Sequence, residues 1–227
     1  MADTKGTLDG ADGLILEKTE GDTVAAATVD EDRRLVDRAR AGDVQAFEAL
    51  VRRYERWVFT LAARMVGDRA EAEDIAQEVF LKAYRGLRGF RGGSRFSTWL
   101  YAIASHHCLN HLAGRDARMR RAARTGNPSG AQGDDAPSAL DRVPDGSPGP
   151  DVVLERRDLR RLIQQGLAQL SEEHRMVVVL RDVQGLSYEE IADVLRLELG
   201  TVRSRLHRAR TELKTRLAPY LAEGSET

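Results

Sequence analysis

Arginine is the side chain whose planar fork grips a phosphate or the edge of a guanine. The chain concentrates it at Arg203, Arg205, Arg208 and Arg210, with Ser204 and His207 between them. Val202, Leu206, Ala209, Leu213 and Leu217 recur at the spacing of one helix face, which leaves the arginines on the others. A basic helix of this kind needs a packed partner to aim it. The preceding segment GLSYEEIADVL supplies one: Ser187 and Glu190 stand at capping-box spacing, and Ile191, Ala192 and Leu195 share a face. A capped helix, a tight turn and a basic helix opened by Gly200-Thr201 make the helix-turn-helix layout that enters a DNA major groove.

Three upstream stretches also carry chemistry. In DIAQEVFLKAY (74–84), Ile75, Val79 and Phe80 cover a core face, and Asp74, Gln77, Glu78 and Lys82 lie off it. As residues alone these four read as a solvated face. In FRGGSRFSTWLYAIA (90–104), a glycine loop sits among Phe90, Phe96, Trp99, Tyr101, Arg91 and Arg95. Aromatics that stack on unpaired bases beside arginines that hold phosphates are the means of gripping single-stranded nucleic acid, although the same rings also serve as core. GRDARMRRAAR (114–124) is an arginine stripe suited to backbone neutralisation, or equally to a solvated helix end.

The elements that position these groups read as helical throughout. Aromatics make up 5% and charged residues 31% of the 227 residues, a profile of helical domains. The net charge of -1 hides a segregation, with an acidic N-terminal stretch and basic stripes further on. Residues 1–30 lack periodicity and read as a disordered acidic tail. The spacing predicts a short helix ending near Gly42, a second from Asp43 to about Met65, a third after Gly67-Asp68 to Leu87, and a fourth from about Ser97 into the arginine stripe. Together, 31–124 read as one helical bundle. Five of the six prolines fall between Pro128 and Pro150, so 125–151 reads as a flexible Pro/Gly linker. A second helical domain, 152–218, holds a helix capped by Ser171 and then the helix-turn-helix, followed by a tail at 219–227. The fold class expected is all-α, in two small domains.

Taken in order, DIAQEVFLKAY, FRGGSRFSTWLYAIA, the linker, LSYEEIADVL and GTVRSRLHRAR closely resemble the extracytoplasmic-function (ECF) sigma factors of bacteria, the two-domain members of the sigma-70 superfamily. The resemblance spans about 31–124 (region 2) and 152–218 (region 4). It implies that Asp74, Gln77, Glu78 and Phe80 bind the clamp of the largest subunit of core RNA polymerase, with the second domain at the flap. It further implies that Phe90, Ser94, Arg95, Phe96, Trp99 and His106 recognise and melt promoter −10 DNA, where a base is flipped out at a cost of a few kcal/mol. Thr201, Arg203, Ser204, Arg205 and Arg208 would read −35 DNA. The linker acids Asp134, Asp135, Asp141 and Asp145 would mimic nucleic-acid charge near the polymerase active-site channel. An anti-sigma factor is the implied regulator.

Two positions depart from the family pattern. His106 stands where Asn is usual, which changes the donors and acceptors offered to a base. Arg196 stands where many members have Gly, and Glu198 where they have Pro, so a differently shaped turn is expected.

Other classes find less support. The single Cys108 gives neither a disulfide nor a cysteine-built zinc site, and the adjacent His106 and His107 diverge on a helix. No cofactor and no catalytic residue is expected, because Glu71, Glu73 and Asp74 lack partners for nuclease chemistry. No apolar run approaches the roughly 20 residues of a membrane span, and no signal peptide pattern is present, so a cytoplasmic protein without membrane insertion is expected. The alternative is a stand-alone helix-turn-helix regulator, which would bind promoters without polymerase.

Overall fold

The structure is a computed structural model that describes residues 25–125 and 161–223. Helix α1 (Ala25–Arg40) leads to α2 (Val44–Val66), α3 (Arg69–Gly86), a 3-10 turn (Leu87–Gly89) and the long α4 (Phe96–Thr125). The second half contains α5 (161–168), α6 (Glu172–Val178), a π turn (Val179–Val183), α7 (Tyr188–Leu195) and α8 (Leu199–Glu223). No strand occurs among the described residues. Helix α1 begins inside the stretch that composition assigned to the tail. The rest of that tail, linker residues 126–151 with their acids, the expected helix start at Val152 to Leu159, and residues 224–227 lie outside the described residues.

Local chemistry sets the helix ends. Asp43 accepts from the Ala46 amide at 3.2 Å and is clasped by Arg38, whose guanidinium holds the Asp43 carboxyl below its usual range. Asp68 accepts from the Glu71 amide at 2.8 Å, and Gly67 closes α2 in the left-handed region at φ 82°. Ser171 caps α6. The Ser187–Glu190 box is reciprocal, at 3.0 and 2.9 Å. Arg196 ends α7 at φ 53° and ψ 50°, so the turn keeps its left-handed shape without glycine. The expectation of a reshaped turn is thereby corrected: the capping amide still reaches Ala192, and the backbone bears a cost of about 1 kcal/mol.

Helices α2, α3 and α4 pack around Leu50, Leu61, Met65, Ile75, Leu100 and Leu112, all fully buried. Buried Asp32 of α1 accepts from the Tyr54 hydroxyl and from Arg53 at 2.5 Å, which pins α1 to α2. In the second half, Met176–Leu180 pack against Val202, Leu206 and Ala209 of α8.

The halves meet along α2 and α4. Arg175, 7% exposed, is held there by backbone carbonyls. Its guanidinium donates to the carbonyls of Leu167 (2.8 Å), Ala168 (2.7 Å) and Leu170 (3.2 Å), and across the seam to the Met65 carbonyl. Burial, and then the like charge of Arg115, lower its pKa. Gln184, placed by the π turn, donates to the Trp57 carbonyl at 3.2 Å and accepts from the Tyr101 hydroxyl at 2.9 Å. The Gln164 amide reaches the Ala63 and Arg64 carbonyls at the end of α2, at 3.4 and 3.3 Å.

Candidate nucleic-acid interface

Helix α8 buries Val202, Leu206, Ala209, Leu213 and Leu217, so its remaining faces must meet water or a partner. Arg203, Ser204 and Arg208 are exposed, and Thr201 is half-buried at the helix opening. The Ser204 hydroxyl donates to the Thr201 carbonyl at 3.0 Å. Arg205 differs from its neighbours: half-buried, it pairs with Glu173 of α6 at 2.7 Å. Arg210 is likewise bound to Asp182, at 2.5 and 3.2 Å. Of the four arginines singled out by spacing, Arg203 and Arg208 therefore face outward, and the other two brace the helix against its own half.

The α4 surface is built differently. Six rings run in contact: Trp99 to Phe90 at 5.0 Å, Phe90 to Phe96 at 6.2 Å, Phe96 to Tyr54 at 5.5 Å, Tyr54 to Trp57 at 5.6 Å and Trp57 to Tyr101 at 5.9 Å. Phe90 and Phe96 are buried and meet edge to face. Trp99 is half-buried at the edge, against Gly86, where an added Cβ would lie 3.3 Å from its ring. Ser94 and Arg95 are exposed on the loop, and Arg95 reaches Glu190 of α7 at 3.5 Å.

His106 is exposed, with Nδ1 2.7 Å from the Ala102 carbonyl. Only a protonated nitrogen suits that contact, so the neutral ring turns its Nε2 outward as an acceptor. Beside it, Lys82 donates to His107 Nδ1 at 2.5 Å. Burial, then the Lys82 charge, lower the His107 pKa. Lys82, Trp99, Ala102, Ile103, His106, His107 and Asn110 line a groove of about 350 Å³, and Arg196 of the second half closes one side. Asn110 follows His106 by one turn of α4 and so shares its face, whereas Arg196 reaches the groove only through tertiary packing.

On α3, Asp74, Gln77 and Glu78 are exposed, and Phe80 is half-buried against the core. Leu81 and Tyr84 are also exposed, which gives this face an apolar flank that the acidic pattern alone did not reveal. In the arginine stripe, Arg115 bends to Glu71 at 3.4 Å, and Arg118, Arg120 and Arg124 are exposed. Among the described residues there is no group of three or more potential metal-ligating side chains, and no helix is long and apolar enough to cross a membrane.

The sequence pattern of sigma-70 region 2 matches residues 50–118, and that of sigma-70 region 4 matches residues 160–213. The RNA polymerase sigma-H factor of Pseudomonas aeruginosa is 40% identical over 197 residues, which cover 86% of this chain and 98% of that protein. The chain belongs to the ECF sigma factors of the sigma-70 family. The ECF RNA polymerase sigma-E factor of Escherichia coli K12 is 36% identical over 196 residues, 84% of this sigma factor and 96% of its own length. Among solved structures, CnrH in complex with the cytosolic domain of CnrY aligns with a TM-score of 0.56 at 29% identity, covering 84% of this chain and 99% of that one. The sigma factor RpoE of Bartonella quintana, solved with the anti-sigma factor NepR, shares the fold, with a TM-score of 0.57 at 22% identity over 76% and 96% of the two chains. The two-region, all-α architecture expected of the ECF sigma factors is the one observed.

Proposed function

We propose that this ECF sigma factor binds core RNA polymerase and directs promoter-specific initiation by dividing the work among three surfaces. The exposed face of α3, with Asp74, Gln77, Glu78 and the edge of Phe80, docks on the polymerase clamp, and Leu81 and Tyr84 add apolar area beside the acids. The α4 groove meets −10 DNA. Trp99 offers a ring face there, Arg95 a phosphate contact and His106 an acceptor, with Ser94 on the entry loop. Phe90 and Phe96 support Trp99 from beneath. Helix α8 meets the −35 element through Thr201, Arg203, Ser204 and Arg208, and Arg205 orients it through Glu173. Two modest DNA contacts joined on one polymerase gain from effective concentration, so neither must be tight alone.

The observation that carries this reading is α8 itself: one face is wholly buried, and the opposite one presents two outward arginines and a hydroxyl at groove-reading spacing. The chain contributes no catalytic residue and works in the cytoplasm. An anti-sigma factor is its expected regulator, as the Bartonella fold relative was itself solved with one.

Run-off transcription with bacterial core polymerase on a pool of genomic promoters tests the proposal. New promoter-specific transcripts are expected, and Arg203→Ala should weaken them selectively by about tenfold, the scale of one arginine–base contact. Unchanged polymerase output, with the chain alone shifting promoter DNA, would establish the stand-alone regulator instead.

A further inference from the structure

One phenol ties the rings under Trp99 to the far side of the helical bundle. Tyr54 of α2 is buried, and its ring lies 5.5 Å from Phe96, which in turn lies 5.8 Å from Trp99. Its hydroxyl donates to the Asp32 carboxylate of α1, and the Ser97 side chain in the first turn of α4 bonds the same phenol. The other Asp32 oxygen accepts from Arg53 at 2.5 Å, and Arg53 also pairs with Glu31 at 2.6 Å. We propose that Asp32 and Tyr54 are positioning residues for promoter opening: through Phe96 and Ser97 they fix where the first turn of α4 holds Trp99. This role rests on the assignment of α4 to −10 DNA.

Helix α4 starts from a glycine loop whose Ser94 and Arg95 are exposed, and Phe96 is the side chain that anchors its first turn in the core. What lies beneath Phe96 therefore decides where that turn sits. Leu35, Val36 and Ala39 already bury α1 in the core, so a carboxylate at Asp32 adds little attachment for the water it gives up. Its contribution is geometric. Apolar contacts tolerate small slides, whereas a satisfied buried polar network has one arrangement. Burial, then the hydrogen bond to Asp32, push the Tyr54 pKa up, so the phenol keeps its proton and remains a donor. Three helices thus converge on one oxygen. A base that leaves its stack must be repaid by the ring that receives it, so a misplaced ring is felt when DNA opens rather than when duplex is first bound.

Holoenzyme assembled from core polymerase and the full chain tests this, on a promoter recovered by run-off transcription and carrying 2-aminopurine in its −10 element. Emission from the unstacked base reports opening. Tyr54→Phe keeps the ring and removes its donor. Asp32→Leu combined with Tyr54→Phe removes the buried charge as well and leaves Arg53 its Glu31 partner. Apolar side chains in place of buried charge often leave stability level or higher, so the double variant should melt at or above the parent temperature. Its opening rate on duplex promoter should nevertheless fall about tenfold, the scale of one lost charge-assisted hydrogen bond, while transcription from a template already opened at −10 stays within about twofold. Asp32→Asn, whose amide oxygen still accepts from the phenol, should recover most of the rate. If circular dichroism shows that the double variant has lost its helices, Tyr54→Phe carries the same opening expectations. Full opening in the variants, or equal loss on duplex and opened templates, overturns the positioning role. A rate that falls only in step with the melting temperature overturns it too. Trp99→Ala separates this role from the reading beneath it. If Trp99→Ala abolishes opening and the Tyr54 variants do not, only the positioning falls, whereas full opening in Trp99→Ala overturns the assignment of −10 DNA to α4.

Discussion

The outer face of α8 and the groove face of α4 carry related groups, arginines beside hydroxyls on one and an arginine beside rings and imidazoles on the other. Their readiness differs. Arg203 and Arg208 stand clear of the protein, and the residues around them are braced by Glu173 and Asp182 from their own half. By contrast, Arg95 is engaged by the opposite half, and the ring cluster behind Trp99 is closed on itself. Intact duplex offers its base edges in the groove to any rigid, exposed helix. A base must leave its stack before a ring can hold it, so a surface meant for that step gains nothing from standing open early.

The sharpest way to break this contrast is at Arg175. Arg175→Met leaves four carbonyls without their donor, three in its own half and one across the seam, and should lower stability by about 3 kcal/mol. Denaturant unfolding checks this, and a loss below about 1 kcal/mol would mean that the seam is not held there. The open surface is tested by Arg208→Ala. If Arg208 holds a phosphate, binding to −35 duplex should weaken several-fold for every sequence, and the slope of log affinity against log salt should fall by about 0.9. A loss confined to one promoter class would make Arg208 a base reader instead.

Arg196→Gly relieves the left-handed residue at the end of α7 and should raise stability by up to about 1 kcal/mol, seen as a higher midpoint. The smallest effect concerns His107. Its folded pKa is depressed below 6.5, so the unfolded chain binds the proton more readily, and stability is full above pH 6.5 and declines as pH falls below it. In thermal melts between pH 7.5 and 5.5, His107→Gln should reduce that decline.

The helix ends were legible in the sequence because their causes are local. Asp43, Ser171 and the Ser187–Glu190 pair each cap a helix within three residues of themselves, and the apolar stripe of α8 is the buried one. The candidate site was legible as a set of segments but not as an arrangement. Nothing local separates Arg203 from Arg205, because the difference is a carboxylate on another helix. Phe90 and Phe96 have the composition of a base-stacking platform, yet they are buried and meet edge to face, a choice made by tertiary packing. Gln184 and Trp57 lie 127 positions apart, beyond any periodicity. At Arg196 the fold of the turn overrode residue preference, since the α7–α8 connection needs a left-handed residue whichever side chain it carries.

The π turn at Val179–Val183 has a consequence for how this chain can change over generations. Its wider ring, in which the Gln184 amide reaches the Val179 carbonyl five residues back, is an α-helix carrying one residue more than its pitch requires. Five residues in such a turn cover nearly the rotation that four cover in an α-helix, so the extra residue is absorbed on the spot. Deleting one codon there would restore ordinary pitch and leave α7 facing α4 much as before. The same deletion in the middle of α2 or α4 would swing all that follows by about 100°, so lineages can differ in length at this one five-residue segment and keep the way their two halves sit together.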